Sequence, residues 1–356
     1  MVLYVILVLL GILGNALVIL VVGNSIIREP GGGRNSDMIL VNMALSNLLV
    51  SVMRNTLLVT SDFGLEVILS KDWCQFLMGV WVWLRAVNVW STLFLSAFHF
   101  YTLKRVGPPI ASLNPSRGPP KALLMCFVLI WALNLLYSAP AFVYSTNGGK
   151  NASETLMLVS STTRPLLGCL WDFPSTYSGL AFATTSMVIH EVIPIVLMST
   201  TNLGSLLILY AHGNAHKAAK RIEDGPILRR VPAERRAAKV ILSLIILFII
   251  SWGASVISVN YFNYNRGASS AHMLVVARFS NSGFIAFSPI ILAVGHRKIR
   301  EVLKSIVNLI ILFSVFWGAS VISVNYFNHG RGASSAYLLV SAWFFNIGFI
   351  AFSPSY

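Results

Sequence analysis

The sequence has few charged residues and few cysteines. Only 11% of its 356 residues are charged and 56% are hydrophobic, whereas a soluble chain of this length usually contains about 25% charged residues. This shortage of charge excludes an ordinary soluble two-domain protein. Cysteine occurs three times in the whole chain.

The sequence also lacks the side-chain patterns of common enzymes. It contains no set of histidines and cysteines with metal-ligand spacing, no phosphate-binding loop, and no nucleophile and base at a supporting spacing. We therefore expect no enzymatic activity, no cofactor and no bound metal.

What the sequence does contain is long apolar runs. The first occupies residues 2–23 and differs from a signal peptide, because it is too long and lacks a basic start and a small-residue cleavage site. Runs of roughly 20 apolar residues are typical of membrane-spanning helices. Six more follow, near residues 38–60, 75–103, 122–144, 180–210, 239–261 and 271–294. We predict an all-α membrane protein, a bundle of seven transmembrane helices numbered 1 to 7 in chain order.

Positive charge is distributed unevenly between the loops. The net charge is +14, and 18 of the 26 Lys and Arg residues fall in loops on one side of the predicted bundle, against five on the other. Because cytoplasmic loops carry an excess of Lys and Arg, the N-terminus is predicted to lie outside the cell. This placement indicates a lipid bilayer, and no nucleic acid, as the partner of the basic residues.

Two of the three cysteines lie on the predicted outer side. Cys74 opens helix 3 and Cys169 lies in the loop between helices 4 and 5. An oxidising outer compartment would allow a disulfide between them, and two free thiols are the alternative. The same loop contains the sequon "NAS" at Asn151. Short sequons arise by chance, but this one lies on the side that the charges assign to the exterior, so it is a candidate glycosylation site.

A basic amphipathic segment follows helix 7. In "HRKIREVLKSI", Arg297, Lys298, Arg300 and Lys304 alternate with apolar residues such as Ile299. We predict a short helix 8, which ends near residue 306 and lies on the anionic inner leaflet of the membrane. A solvated tail is the alternative.

Motifs in five of the predicted helices resemble those of a receptor family. Helix 1 carries Gly14-Asn15, helix 2 reads "LVNMALSNLLVS", and helix 4 has Trp131 followed nine residues later by Pro140. Helix 3 ends in "NVWSTLFLSAFHFYTLKRV" and helix 7 in "GFIAFSPIILAVGHRKIR". Over residues 1–306 the chain resembles the vomeronasal type-1 receptor family, most closely its fish branch of olfactory receptors related to class A. These are rhodopsin-like G-protein-coupled receptors.

The chain departs from the wider rhodopsin-like pattern at four places. Asn47 stands where helix 2 usually has an acidic sodium-site residue, and His99 stands where an arginine is expected at the cytoplasmic end of helix 3. Helix 6 has no proline near Trp252, and helix 7 has Ser288-Pro289 without the usual tyrosine. These departures put sodium modulation and an arginine lock in doubt, and they fit the vomeronasal type-1 family.

The resemblance implies the partners and the location of the protein. A chemosensory receptor in the plasma membrane, with several spans, would bind a small pheromone or odorant and activate a heterotrimeric G protein. Its basic cytoplasmic surface would offer the contacts for the G protein. The candidate residues on that surface are His99, Lys104, Arg105, Arg235 and Arg236.

Ionisable residues inside the predicted spans indicate a ligand pocket. A charged residue in a span costs a few kcal/mol on insertion scales, so each one needs a reason. Glu191 is the sole carboxylate within the predicted spans, which also contain three arginines. Two positive charges therefore need partners. We expect a pocket for an anionic ligand in the outer half of the bundle, with internal pairing and snorkelling as the alternative. The candidate ligand-binding residues are Arg54, Arg85, Asn88, His190, Glu191 and Arg278.

The end of the chain repeats an earlier stretch. Residues 246–289 and 311–354 align without gaps and are identical at 33 of 44 positions, so helix 6, the outer loop and helix 7 occur twice. We predict a receptor domain over residues 1–306 and a surplus tandem copy over residues 307–356, from a recent duplication or a faulty gene model. A nine-helix transporter or channel, and a non-functional product of a damaged receptor gene, are the alternative interpretations.

Overall fold

The computed structural model describes most of the receptor-like part of the chain. The described residues are 2–28, 35–62, 69–105, 121–147, 169–219, 231–265, 271–295 and 299–302. The chain divides into two compact units, Met1–His296 and Arg297–Tyr356. The second unit is described over residues 299–302 alone, which are helical. The tandem copy therefore lies outside the described residues, and its boundary at residue 307 stays a prediction.

The described residues of the first unit form seven long helices that coincide with the seven predicted spans. Helix 2 consists of three consecutive segments, helix 4 of two and helix 5 of three, while the other helices are continuous. The segments in chain order are Val2–Arg28, Asn35–Val50, Ser51–Asn55, Thr56–Asp62, Lys71–Arg105, Lys121–Tyr137, Ala139–Val143, Thr176–Met187, Val188–Val192, Ile193–Ala219, Val231–Tyr264 and Ala271–Gly295.

Six of these helices are long and apolar enough to cross a membrane. The exception is helix 4, whose first segment has 17 residues. A turn at Ser138 ends that segment, and a second short segment follows with Pro140 at its start, where the missing N–H of proline is tolerated.

Helix 3 is the central helix of the bundle. Over its most apolar 18-residue stretch, 72% of the residues are buried, against 28% in helix 1 and 22% in helix 5. It contacts helices 2, 4, 5 and 6, whereas the outward faces of helices 1 and 5 carry exposed leucines, isoleucines and valines suited to lipid. The polar residues of helix 3 are therefore placed to meet most of the bundle.

Helices 2 and 5 each contain one widened π-helical turn. The turns are Ser51–Asn55 and Val188–Val192. Each turn holds ionisable residues of the predicted pocket, Arg54 in the first and the pair His190 and Glu191 in the second, and all three are buried. Single π turns inside α-helices are frequent at functional sites, which draws attention to these two positions.

A disulfide closes the outer end of the bundle. Strand β1, Ser145–Asn147, pairs antiparallel with strand β2, Cys169–Trp171, with Asn147 opposite Cys169. The sulfurs of Cys74 and Cys169 are 2.03 Å apart and their Cα atoms 5.5 Å apart. The predicted bridge is confirmed. The predicted glycosylation site at Asn151 lies outside the described residues.

Helices 1 and 7 approach each other closely at the Gly14-Asn15 motif. A Cβ atom added to Gly14 would lie 2.8 Å from the ring of Pro289, so a larger residue at this position would push the two helices apart. Asn15 beside it donates a hydrogen bond of 2.9 Å to the backbone carbonyl of Ile285 in helix 7. The motif thus joins the first and last helices of the bundle.

Neutral side chains extend this junction to helices 2 and 3. Asn47 donates to Asn15 Oδ1 and to Ser288 Oγ, each at 3.3 Å. Asn88 in turn donates to Asn47 Oδ1 at 2.6 Å and to Ser46 Oγ at 3.1 Å. Amides and hydroxyls therefore occupy the place where the wider family pattern has an acidic residue, in line with the expectation drawn from Asn47.

Candidate ligand-binding site

Arg85 lies at the meeting point of helices 3, 6 and 7. Its side chain is 2% exposed. The guanidinium carbon lies 3.5 Å from the ring centre of Trp252 in helix 6, a close cation–π contact. Its Nη2 donates a hydrogen bond to Asn281 Oδ1 in helix 7. One side chain of the central helix thus contacts both helices that the tandem copy duplicates.

A tryptophan on helix 3 brings a second arginine close to the first. The guanidinium of Arg54 lies 4.3 Å from the ring centre of Trp81, and that of Arg85 lies 5.9 Å from the same ring. Trp81 is fully buried. Two positive charges therefore share one aromatic side chain in the interior of the bundle.

The third arginine, Arg278, joins helix 7 to helices 1 and 2. Its guanidinium lies 3.8 Å from the ring centre of Tyr4, and its Nη2 donates to the carbonyl oxygen of Leu58 at 3.4 Å. The hydroxyl of Tyr4 donates to Asn55 Oδ1 at 3.1 Å, and Ser282 donates to both groups at 3.4 Å. Arg278 is thus held at the outer junction of three helices.

The π turn of helix 5 places His190 against helices 3 and 4. Its Nδ1 accepts a hydrogen bond of 3.1 Å from Trp90 Nε1, and its ring meets the Tyr137 ring edge-on at 4.6 Å. Neighbouring Glu191 is fully buried. Because Nδ1 accepts, a neutral His190 carries its proton on Nε2, which has no hydrogen-bond partner among the described residues.

The structure brings together only part of the predicted ligand-binding set. Arg54 and Arg85 converge on Trp81, whereas Arg278 contacts helices 1 and 2. Asn88 binds the neutral network of helix 2 instead of joining the contacts of Arg85. The ligand-binding role of each of these residues stays a prediction.

Three aromatic or amide partners of the arginines were not identified from the sequence. Trp81 precedes Arg85 by four residues, a spacing that places both on one helix face and could have indicated the contact. Trp252 and Asn281 lie far from Arg85 in the chain, and no spacing rule connects them to it. Their pairing depends on how helices 3, 6 and 7 pack.

A narrow recess, too small in this structure to hold a water molecule, lies beside Arg85 between helices 3, 6 and 7. It combines hydroxyl, amide and guanidinium groups with aromatic walls, so it offers donors next to apolar surface. The lining residues are Arg85, Phe248, Ser251, Trp252, Ser280, Asn281 and Phe284.

At the cytoplasmic end, only part of the predicted G-protein surface is described. His99 is 8% exposed, and its Nε2 has no hydrogen-bond partner within the described ranges. Lys104 is exposed near the end of helix 3. The side chains of Arg105, Arg235 and Arg236 lie outside the described part of the structure, so this surface stays a prediction.

Comparison with known proteins identifies a family over most of the chain. A sequence model of the "Vomeronasal organ pheromone receptor family" matches residues 1–305. The chain belongs to this family. The match covers all seven helices, and it ends just before the tandem copy predicted from residue 307.

Two relatives agree with this assignment, and one solved structure has a similar fold. "Olfactory receptor class A-like protein 4" of Danio rerio is 44% identical over 308 residues, which cover 86% of this chain and 88% of the relative. "Olfactory receptor class A-like protein 1" of the same fish is 25% identical, over 82% of this chain and 87% of that protein. Squid rhodopsin matches in fold with a TM-score of 0.63 at 18% identity, over 85% of this chain and 78% of the squid chain.

The family settles the class of the protein. This vomeronasal-family chain is a G-protein-coupled receptor of a chemosensory family, with seven transmembrane helices and a multi-pass location in the plasma membrane. The predicted fold is confirmed. The family is one of receptors and not of enzymes, and the matches favour neither a nine-helix transporter or channel nor a non-functional product.

Proposed function

We propose that this receptor binds a small anionic pheromone or odorant in the outer half of its bundle and then activates a heterotrimeric G protein. The supporting observation is the charge of the interior. Arg54 is 6% exposed, Arg85 is 2% exposed and Glu191 is fully buried. With the half-buried Arg278, three arginines occupy the spans against one carboxylate, which leaves an excess of two positive charges.

An anionic ligand would offset this excess of charge. Removing a guanidinium from water costs several kcal/mol even after relaxation, and the cost is recovered only by close partners of good geometry. Aromatic rings and neutral amides recover part of it, as Trp81, Trp252 and Asn281 do here. A carboxylate, sulfate or phosphate recovers more, because charge-assisted hydrogen bonds are about twice as strong as neutral ones.

Helix 3 is the element that could carry a change in the pocket to the cytoplasm. It is one continuous helix, Lys71–Arg105, with Arg85 near its middle and His99 two turns before its end. The 14 residues between them span about 21 Å. In this proposal the cytoplasmic ends of helices 3 and 6 supply the basic contacts for the G protein, with Lys104, Arg105, Arg235 and Arg236 as candidates.

The test of the ligand class compares acids with their neutral amides. Cells expressing the receptor are exposed to benzoate with benzamide and to hexanoate with hexanamide, and G-protein activation is recorded over a concentration series. We expect the acids to be about ten- to a hundred-fold more potent, which corresponds to roughly 1.5–3 kcal/mol for a hydrogen bond to a charged group.

Two controls distinguish binding of the ligand by the receptor from activation of the G protein. Cells without the receptor report any direct effect of the acids, and nucleotide exchange on the G protein in receptor membranes reports coupling itself. Equal potency of acid and amide would end the anion proposal. An acid response without nucleotide exchange would end the proposed coupling.

A further inference from the structure

The three arginines within the spans differ in what they contact. Arg54 contacts a ring of helix 3, and Arg278 contacts a ring of helix 1 and a carbonyl of helix 2. Arg85 contacts both helix 6 and helix 7, through Trp252 and Asn281. Its surroundings therefore change if helices 6 and 7 move relative to helix 3.

Two unsatisfied hydrogen-bond donors lie at this contact. Arg85 Nε and Trp252 Nε1 have no hydrogen-bond partner among the residues that the structure describes. Their side chains are 2% and 3% exposed, so bulk water does not replace the missing acceptors. A buried donor without an acceptor costs about 1–3 kcal/mol, and more for a charged group.

The recess beside Arg85 is lined by the residues that carry these donors, and it would admit an acceptor once helices 6 and 7 move away from helix 3. Arg85 and Trp252 both line it, and Ser251, Ser280 and Asn281 add hydroxyl and amide groups. A carboxylate has two oxygens and about four acceptor sites, which matches a guanidinium with an indole N–H beside it. The aromatic wall suits an apolar body attached to that carboxylate.

We propose that Arg85, and neither Arg54 nor Arg278, binds the anionic group of the ligand, in the recess between helices 3, 6 and 7. This inference rests on the proposed anionic ligand and adds which arginine receives it. The ligand carboxylate takes the place of the Asn281 oxygen on the guanidinium and accepts from Trp252 as well. Binding therefore exchanges the contacts of helix 3 with helices 6 and 7 for contacts with the ligand.

The test makes the same substitution at each arginine. Arg85→Met, Arg54→Met and Arg278→Met remove the charge while keeping a long apolar side chain. For each variant the potency ratio of benzoate to benzamide is measured at matched surface level. We expect Arg85→Met to lower benzoate potency about ten- to a hundred-fold, equivalent to the charged hydrogen bond lost, and to lower benzamide potency less, so that the potency ratio of acid to amide falls toward one.

The other two variants serve as matched controls. Arg54→Met and Arg278→Met should keep the acid-to-amide ratio of the unmodified receptor, even where their surface level falls. A ratio preserved in Arg85→Met, or abolished in Arg278→Met or Arg54→Met, would overturn the assignment. If the unmodified receptor shows no preference for acid, or no acid acts at a concentration that cells tolerate, the proposed function itself fails and this inference with it.

Two further variants keep the inference testable if Arg85→Met does not reach the surface. Arg85→Lys retains the charge but has a single donor point instead of a planar fork, so benzoate should remain preferred over benzamide at reduced potency. Ser280→Phe leaves Arg85 in place and adds bulk to the recess, so at matched surface level benzoate potency should fall, even though overpacking lowers the amount of receptor at the surface. A normal benzoate response in Ser280→Phe would contradict the location.

Discussion

The original hairpin of helices 6 and 7 differs from its copy in several polar residues that contact the bundle or line its recess. Residues 246–289 and 311–354 are identical at 33 of 44 positions. Four of the differences replace a polar residue with a large apolar one. These are Ser251 with Phe316, Arg278 with Trp343, Ser280 with Phe345 and Ser282 with Ile347.

Each of these four polar residues has a definite place in the original. Arg278 contacts Tyr4 and the backbone of helix 2, and Ser282 donates to the hydroxyl of Tyr4. Ser251 and Ser280 line the recess beside Arg85. Apolar composition suits both hairpins to a membrane, but the copy lacks these four polar side chains, which help to specify the position of the original in this bundle.

The largest effect is expected when the original receives all four residues of the copy. The combined variant Ser251→Phe, Arg278→Trp, Ser280→Phe and Ser282→Ile loses the polar contacts to helices 1 and 2 and overpacks the interior. Overpacking alone costs about 1–3 kcal/mol at each site, so the total approaches the whole stability of a typical domain. Flow cytometry of an N-terminally tagged receptor should show surface level near background.

The control for this variant transfers to the original hairpin the other residues that differ in the copy. The remaining seven differences are transplanted together, namely Ile249→Ser, Ile250→Val, Tyr264→His, Asn265→Gly, His272→Tyr, Met273→Leu and Val276→Ser. We expect more than half of the normal surface level. If the seven changes are more damaging than the four, the polar contacts are not what separates the two hairpins.

A smaller effect is expected for Arg278→Trp alone. It removes the cation–π contact with Tyr4 and the hydrogen bond to Leu58, which together contribute about 1–3 kcal/mol to the junction of helices 1, 2 and 7. Because of this loss of stability, the surface level should fall about two- to five-fold. The agonist potency of the receptor that reaches the surface should stay unchanged. Arg278→Lys, which keeps the charge, serves as the control. A potency loss at normal surface level would instead make Arg278 a ligand contact, as the sequence predicted.

Loss of the Ser282 hydroxyl without added bulk, in Ser282→Ala, should have a still smaller effect. Its two hydrogen bonds to Tyr4 and Asn55 are both 3.4 Å long, so their loss costs about 1 kcal/mol. The melting temperature of the purified receptor should fall by about 2–4 °C. Ser282→Ile loses the same hydrogen bonds and also overpacks the site by about 1–3 kcal/mol, so its melting temperature should fall further. An unchanged melting temperature in Ser282→Ala would show that the hydroxyl contributes nothing measurable to stability.

The smallest effect is expected from deletion of the copy. A receptor ending at Ile306 retains all seven helices and the whole stretch that matches the family. Surface level and agonist potency should equal those of the full chain. Retention inside the cell would show that residues 307–356 contribute to the fold, and the predicted division of the chain would then be wrong.

The spans and the disulfide could be predicted because they depend on local hydropathy and on the distribution of charge between the loops. Hydropathy locates each helix, and loop charge places Cys74 and Cys169 on one side of the membrane. The contacts between side chains inside the bundle depend on how the helices pack, which could not be derived from the sequence. Arg85 and Asn88 are three residues apart, which turns their side chains about 60° from each other around the helix. In a crowded core this rotation is enough for one to meet helices 6 and 7 and the other to meet helix 2.

The π turns of helices 2 and 5 affect how this receptor is aligned with its relatives. A π turn holds one residue more than an α turn, so side chains outward of Asn55 are rotated by about 100° from where an α-helical count begun at Asn47 would place them. The same offset separates residues before Val188 from those after Val192. An ungapped alignment with a receptor whose helices are α throughout therefore assigns the wrong neighbour to every residue beyond each turn. The outer half of the pocket is where such an error falls, so residue roles there should be transferred by superposition and not by counting.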